Sequence, residues 1–523
     1  MKKLLLSATV VAGLFAAPTV DSLQKQINEL QKQLKELKAE QKTQNDRYYK
    51  KVAPVVTNSH LFWSYDLRTS YDAISKETTA GALYTVTPDL SNPGTFTIKK
   101  ANNTGSYQSD KKNHTGQVLS NRVILTGVIK PSDSLKATVR IEANKVFGMN
   151  SINQMSNPFQ NVDWVANETP DDANIRIKEA FFNYYFGDDF MFSAGRRPAT
   201  NGFPANLREE DPANSPLAHL INMEFDGFSF EIGNGEFSKL SSKFADWGTW
   251  MKFCLGRGYS NTNGKWSLTN TQPDYTKDYS SHHADFGGFL LIPYDDGQYS
   301  IKTETVWAFN LQGFEMSMPN AQYDFMKNNY TAQQIAGMLA TGGEINATMP
   351  TLGNYFGENI IFEAQGIGND NFSSDALNNF LDETTAFISY AFSQTRPKNG
   401  QRMLGSTDKK SGHSIWVGAD MPGFRDNDRL GFNYVHGSKY WRNFTYGEDT
   451  LAGSIAAVRG NAYEIYYNAQ IIPHLTAGLR YTYIKYNYPG SDSFFGDMGD
   501  PEFKAFSYVD RATDIRAYIR YKF

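Results

Sequence analysis

The chain has 523 residues, a formal net charge of −4, 14% aromatic residues and 42 glycines. It carries no basic excess for a nucleic-acid partner, and its single cysteine, Cys254, excludes a disulfide framework or a thiolate metal cluster. Mean hydropathy is −0.51, and beyond the first residues no apolar run is long enough for a membrane-spanning helix. A membrane-spanning β-barrel stays compatible, because half of every strand is polar.

Lys2 and Lys3 precede an apolar run from Leu4 to Ala17, which reads as a signal peptide over residues 1–17, with the mature start between Pro18 and Asp21. Asp21 or Ser22 can cap the helix that follows. Leu23, Ile27, Leu30, Leu34 and Leu37 then recur at heptad a/d spacing among Lys, Gln and Glu. One narrow apolar stripe asks for a partner, so residues 21–47 read as a self-associating periplasmic coiled coil about 40 Å long. A lone amphipathic helix lying on the barrel or membrane is the alternative. Residues 48–59, containing Pro54, read as a linker.

From His60 the pattern changes to strands. Leu61, Trp63, Tyr65, Leu67, Thr69 and Tyr71 alternate with Phe62, Ser64, Asp66, Arg68 and Ser70. The clearest hairpin runs from Val118 to Ile129, through Lys130-Pro131-Ser132-Asp133, and back from Leu135 to Asn144. Tight turns recur at Gly187-Asp188-Asp189, Pro293 to Gly297 and Ile472-Pro473-His474, separated by long polar stretches. Short turns on one side and long loops on the other, over 60–523, predict an all-β transmembrane antiparallel barrel of about 16 strands (about 14–18). The alternation breaks near Glu179 and is weak from Gly353 to Ile367. In the last stretch Thr513, Ile515, Ala517, Ile519, Tyr521 and Phe523 share one face, and Asp514, Arg516, Tyr518, Arg520 and Lys522 the other. An apolar lipid side and a watery lumen explain this division. The segment resembles the terminal strand of bacterial outer-membrane barrels, whose final Phe belongs to the signal read by the insertion machinery.

Phe190, Phe192 and Ala194 would face lipid, which puts Ser193, Gly195 and Arg197 on the lumen side, and the Pro- and Gly-stiffened stretch that follows carries Arg208, Glu209, Glu210 and Asp211. A loop of this kind, with both signs of charge, is a candidate constriction folded into the pore; the alternative is an ordinary surface loop with solvated charges. Lys136, Arg140, Glu142, Arg516 and Arg520 are further inward-facing candidates. No catalytic constellation emerges. His282-His283 point to opposite faces of a strand and so do not ligate a metal together. His436 and Ser438 share a face but lack a nucleophile elbow and an orienting third residue. Asp426-Asn427-Asp428 lacks the glycine and distal glutamate of a calcium loop. No enzyme, cofactor or metal is expected.

Leu430 to Trp441 (LGFNYVHGSKYW), Arg459 to Tyr467 (RGNAYEIYY) and Gly195-Arg196-Arg197-Pro198 resemble a porin-like outer-membrane family of epsilon-proteobacteria, largely uncharacterised, over the whole mature chain. The resemblance implies a signal peptide, a short coiled coil and an outer-membrane barrel, and it transfers no site residue. The expectation is a porin allowing passive diffusion of small hydrophilic solutes or ions, as a homo-oligomer, trimeric by analogy with porins. The alternative is a structural or adhesive outer-membrane barrel, its coiled coil linked to periplasmic partners or the cell wall.

Overall fold

A computed structural model describes residues 61–89, 95–100, 107–148, 175–260, 265–267, 270–274, 283–367, 372–445, 448–493 and 495–523. The signal peptide, the linker and the coiled coil with Leu23, Ile27, Leu30, Leu34 and Leu37 lie outside the described residues. The chain divides into Met1–Ser64 and Tyr65–Phe523, and apart from Leu61–Ser64 of the first strand the architecture below belongs to the second unit.

Sixteen strands close into one antiparallel barrel. They are β1 (Leu61–Thr78), β2 (Lys112–Ser132), β3 (Leu135–Val146), β4 (Arg176–Phe186), β5 (Phe190–Arg197), β6 (Phe225–Ile232), β7 (Trp250–Ser260) and β8 (His283–Asp295). Then follow β9 (Tyr299–Gln312), β10 (Thr351–Gln365), β11 (Thr385–Pro397), β12 (Lys410–Pro422), β13 (Arg429–Gly437), β14 (Gly460–Ile472), β15 (Leu475–Tyr486) and β16 (Val509–Lys522). Each strand pairs with its neighbours in sequence, and β16 closes on β1 with Asp66 opposite Lys522.

The period-two alternation decides which way each side chain points. On β16, Ile515, Ile519 and Tyr521 are exposed on the outer wall, while Asp514, Arg516, Tyr518 and Arg520 are buried inside. The same division holds on β1, with Leu67 and Tyr71 outside and Asp66, Arg68 and Asp72 inside. An exterior of leucine, isoleucine and phenylalanine around a charged interior inverts the order expected in water, so the wall spans a membrane. The two weak stretches have separate causes. A bulge sets Arg140 opposite Glu179 and Ile141 opposite Ile177, which leaves Lys178 as the extra residue of β4. In β10 both faces are apolar at Ile360, Ile361 and Phe362, because Ile361 packs on a core inside the barrel.

Tight turns lie at the end of the barrel that holds Phe523. Two longer connections at that end carry the helices Asn234–Leu240, Ser242–Asp246 and Asp375–Asp382. At the loop end, residues 198–224, 438–445 and 448–459 fold inward. Leu217, Leu220, Ile221, Trp441, Phe444, Ile455 and Val458 are buried against Phe286, Tyr355, Ile361, Phe387, Trp416 and Val435 of the wall. Three other connections combine into a cap. Tyr84–Pro88, Thr95–Lys100, Ile345–Thr348 and Glu315–Met316 form a four-stranded sheet, accompanied by helices Asn320–Asn329 and Ala332–Ala340. Its core includes Phe96, Ile98, Phe314, Tyr323, Ile335 and Phe506. Arg402 staples the cap to neighbouring loops: it donates to Asp497 at 2.9 and 2.8 Å and to Asn320 at 2.6 Å, and lies 4.3 Å from the Tyr323 ring centroid.

Ile515 lies mid-wall, opposite Ala73 on one side and Tyr481 on the other. Ile515→Arg is expected to cost about 2–4 kcal/mol in equilibrium unfolding from lipid vesicles. Ile515→Val is expected to cost about 0.8 kcal/mol, the transfer of one methylene into lipid, with no cavity because lipid fills the space.

Candidate functional site

Four arginines from three wall strands converge on carboxylates from two inserted loops. Prolines at 198, 204, 212 and 216 keep residues 198–224 out of the sheet ladder. The segment instead forms a 3-10 turn, Ala205–Glu209, ended by Glu210 at φ 54°. Asn206 Nδ2 donates to the Asp211 carbonyl at 2.8 Å and Asn468 Nδ2 to the Arg208 carbonyl at 3.0 Å, which fixes the turn against β14. Glu209 and Asp211 thereby face the wall formed by β1, β2 and β16.

Arg68 donates to Glu209 at 2.5 Å and also pairs with Asp449 of the second inserted loop. Arg122 reaches Glu209 at 3.0 Å and both Asp66 and Asp449 at 3.3 Å. Arg520 donates to Asp66 at 2.8 Å, to Asp211 at 2.8 Å and to the Glu209 carbonyl at 2.9 Å. Arg516 binds Asp72 at 2.5 Å and Asp449 at 2.9 Å, and Lys522 binds Asp211 at 2.6 Å. Arg208 turns the other way, to Glu464 at 2.7 Å. Burial raises the Glu209 carboxyl, but Arg68, Arg122 and Arg520 outweigh it and hold the group well below the usual range. Burial also raises Asp211 and Asp449, and again neighbouring cations prevail: Arg520 and Lys522 at Asp211, Arg516 and Arg68 at Asp449. The loop carboxylates therefore stay ionised. A cavity of about 50 Å³ beside the network is lined by Arg122, Arg140, Lys178, Arg208, Glu209, Asp211 and Asp449.

The sequence-derived candidates thus separate into groups. Arg208, Glu209, Asp211, Arg516 and Arg520 meet in or beside the network. Lys136, Arg140 and Glu142 face inward further round the wall, where Arg140 pairs with Glu179 at 3.1 Å and Glu142 with Lys178 at 3.3 Å. Glu210 is exposed. Arg197 sits apart, donating to Ser193 Oγ at 3.0 Å and lying 3.8 Å from Cys254 Sγ, beside a smaller and mainly apolar cavity. Sequence reasoning had not singled out Asp449, Asp72 or His219, nor chosen Arg68 and Arg122 from the inward faces of their strands.

His219 pins the first inserted loop to the opposite wall. It is fully buried, with Nδ1 2.7 Å from Ser389 Oγ and Nε2 2.9 Å from Ser414 Oγ, and its ring meets Trp416 and Trp441 edge-on at 5.6 Å. Burial lowers its pKa to about 3, so at neutral pH one ring nitrogen donates and the other accepts. The weaker chemical motifs resolve individually. His436 Nδ1 lies 3.0 Å from Asn461 Oδ1, while Ser438 Oγ accepts the His413 amide at 2.9 Å. Asp285 binds Arg257 at 2.6 Å, and Asp428 accepts from Arg425 at 2.9 Å within a turn. Among the described residues no group of three or more His, Cys, Asp or Glu could hold a metal ion.

A depressed histidine pKa stabilises the fold above the unfolded value near 6.5, and that stability is lost as pH falls toward 3. Unfolding free energy should therefore decrease by about 1.4 kcal/mol per pH unit from this group between about pH 6 and 4. His219→Gln should flatten that interval in pH-dependent denaturant titrations followed by tryptophan fluorescence. Asp211, Glu209 and Asp449, held low by their cations, add their own loss only at still lower pH.

Among solved structures, the chain is similar to an anion-selective porin from Comamonas acidovorans (10% identity, 88% of this chain and 99% of that chain, TM-score 0.42). It is also similar to OprB of Pseudomonas putida (11% identity, 88% and 94%, TM-score 0.39) and to the outer-membrane channel DcaP of Acinetobacter baumannii (11% identity, 90% and 100%, TM-score 0.39). None of the curated proteins matches it. Residues 110–523 match the family described as "Protein of unknown function (DUF3373)", and the chain belongs to that family.

Proposed function

We propose that this protein is an outer-membrane channel of the porin type, passing small hydrophilic solutes or ions by passive diffusion. The observation that carries this reading is the inserted loop that sets Glu209 and Asp211, with Asp449, against Arg68, Arg122, Arg516 and Arg520. Opposed charges across a narrow gap orient dipolar solutes and filter ions by size and sign. The positive excess of β16 is offset by carboxylates from the loops, so ion preference follows the balance between wall and loop rather than the wall alone. On this reading Arg197, Arg208, Glu210, Lys136, Arg140, Glu142 and Arg520 line or flank the path. No residue is assigned a catalytic role, and no cofactor is needed.

The turn end faces the periplasm and the loop end faces outward. Residues 1–17 direct export, residues 21–47 form a periplasmic coiled coil, and residues 48–59 join it to the barrel. The barrel is embedded in outer-membrane lipid, inserted by machinery that reads β16 with Phe523, and assembled as a homo-oligomer. A second reading, a structural or adhesive barrel, is favoured by the apolar contacts that anchor both inserted loops inside the lumen.

Single-channel recording of the purified protein in a planar bilayer under a salt gradient separates the two. The channel reading expects stable conductance steps. Glu209→Gln combined with Asp211→Asn is expected to raise the conductance and move the reversal potential toward anion preference, because the arginines lose their counter-charges. A folded protein that never conducts would favour the structural reading.

A further inference from the structure

The outer wall differs from one sector to another. Around β11 to β16 and β1 to β3, charged outward-facing residues stand only near the loop end. On β16 the outward Tyr521, Ile519, Ala517, Ile515 and Thr513 all come before Arg511. On β6, β7 and β10 they come much sooner. Only Phe228, Phe230 and Ile232 separate Asp226 from the turn end, and only Leu255, Phe253 and Met251 lie below Arg257. Glu358 stands above Ile360 and Phe362 on β10 and is exposed. Successive outward residues are about 6.8 Å apart along a strand, or about 4.7 Å in height at a tilt near 45°. Asp226, Arg257 and Glu358 therefore sit roughly 14–16 Å above the turns, near the middle of a lipid-facing band about 25 Å tall.

The wall is also low there. β5 and β6 have eight residues each, against fourteen in β16. Eight tilted residues rise about 19 Å, less than the apolar band. Above them the chain turns into the lumen.

We infer that the β5–β8 wall, extended to Glu358 on β10, is the surface on which a second copy of this chain docks. Its charges form one row in register. Arg196 lies opposite Asp226, Asp226 opposite Arg257, and Arg257 opposite Asp285. Arg196 pairs with Asp226 at 3.4 Å and is mostly covered, while the side chains of Asp226, Arg257 and Asp285 are 58%, 49% and 40% exposed. A copy related by a two-fold axis along the membrane normal between β6 and β7 sets Asp226 of each copy against Arg257 of the other, both three outward residues above the turn end. An adjacent acid–base pair of this kind is complementary to itself. Shape agrees with charge. Phe228 and Leu255 protrude at 55% and 64% exposure beside the small outward residues Ala194 and Gly287. The a/d seam of residues 21–47 independently asks for further copies. The inference rests on the barrel spanning a membrane, not on whether it conducts.

The test uses the full chain in detergent and in nanodiscs. Native mass spectrometry reads the assembly, and heat-modifiable gel mobility reports barrel folding. Wild type is expected at a multiple of the chain mass. Asp226→Lys and Ala194→Trp should fall to the mass of a single chain with folded mobility retained, while Ala477→Trp on β15 keeps the assembly. A monomeric wild type, or folded Asp226→Lys and Ala194→Trp variants that keep their assembly, overturns the inference. A photo-crosslinker replacing Phe228 supplies a second readout that does not depend on either variant folding. Adducts with a second chain are expected, and adducts only with phospholipid or lipopolysaccharide overturn the inference. Parallel conductance recordings keep the two readings apart, since loss of the assembly need not silence a single barrel.

Discussion

Closing the barrel places Arg68 directly opposite Arg520. Like charges facing each other across neighbouring strands destabilise a sheet, more so where water is scarce. The pair persists because Asp66 stands beside Arg520 in the ladder and Glu209 arrives from the inserted loop to bind Arg68. Arg122 adds a third cation to the same wall and depends on the same carboxylates. The position of residues 205–211 is thus set by the closure of the barrel as much as by the loop's own prolines. Removing either side leaves several buried charges without counter-charges, a loss of the order of 3–5 kcal/mol for a single partner.

The loop could not satisfy those charges if it had no other support. Its opposite face supplies Leu217, Ala218, Leu220 and Ile221 to a wall of Phe286, Ile361, Phe387 and Trp416. His219, in the middle of that run, satisfies both ring nitrogens through Ser389 and Ser414 on adjacent strands. The interior is therefore two-sided, apolar along β8 to β14 and ionic along β16 to β3. The second inserted loop follows the same division: Ile455 and Val458 join the apolar side, and Asp449 joins the arginines.

Much of this organisation is legible in the order of the residues. β16 and β1 announce themselves, since a strict apolar and charged alternation along a whole strand has few explanations other than a lipid face and a polar interior. The position of the tight turns and long connections follows as well. β4 resists because a bulge at Lys178 shifts the period, and β10 resists because its inward face packs on apolar loops. That second failure carries information. Strands such as β8, with Ala284, Phe286, Leu290 and Ile292 turned inward, are apolar on both faces, and such a pattern marks a lumen wall covered by protein rather than water. Asp449 leaves no comparable trace, because an acidic residue in a polar loop looks the same whether it is solvated or drawn into a distant ion-pair network. Arg197 shows the converse limit: its inward direction was legible, but its neighbours Ser193 and Cys254 depend on register between strands.

The two-sided interior also limits where a solute could pass. A path along the apolar side would have to unseat Leu220, Trp441, Phe444 and the His219 contacts together, exposing a packed core to water. Along the ionic side, the channel reading would have a small charged or dipolar solute take the place of one partner in a pair while the remaining partners keep their contacts. Each arginine there already shares two or three acceptors, so exchanging one costs far less than stripping a lone pair. On the proposed channel reading, passage by exchange would need only local side-chain movement, with the apolar anchors holding the loop in place. The same anchors that make the lumen look closed are therefore what would keep a narrow charged path open to small polar solutes and shut to larger ones.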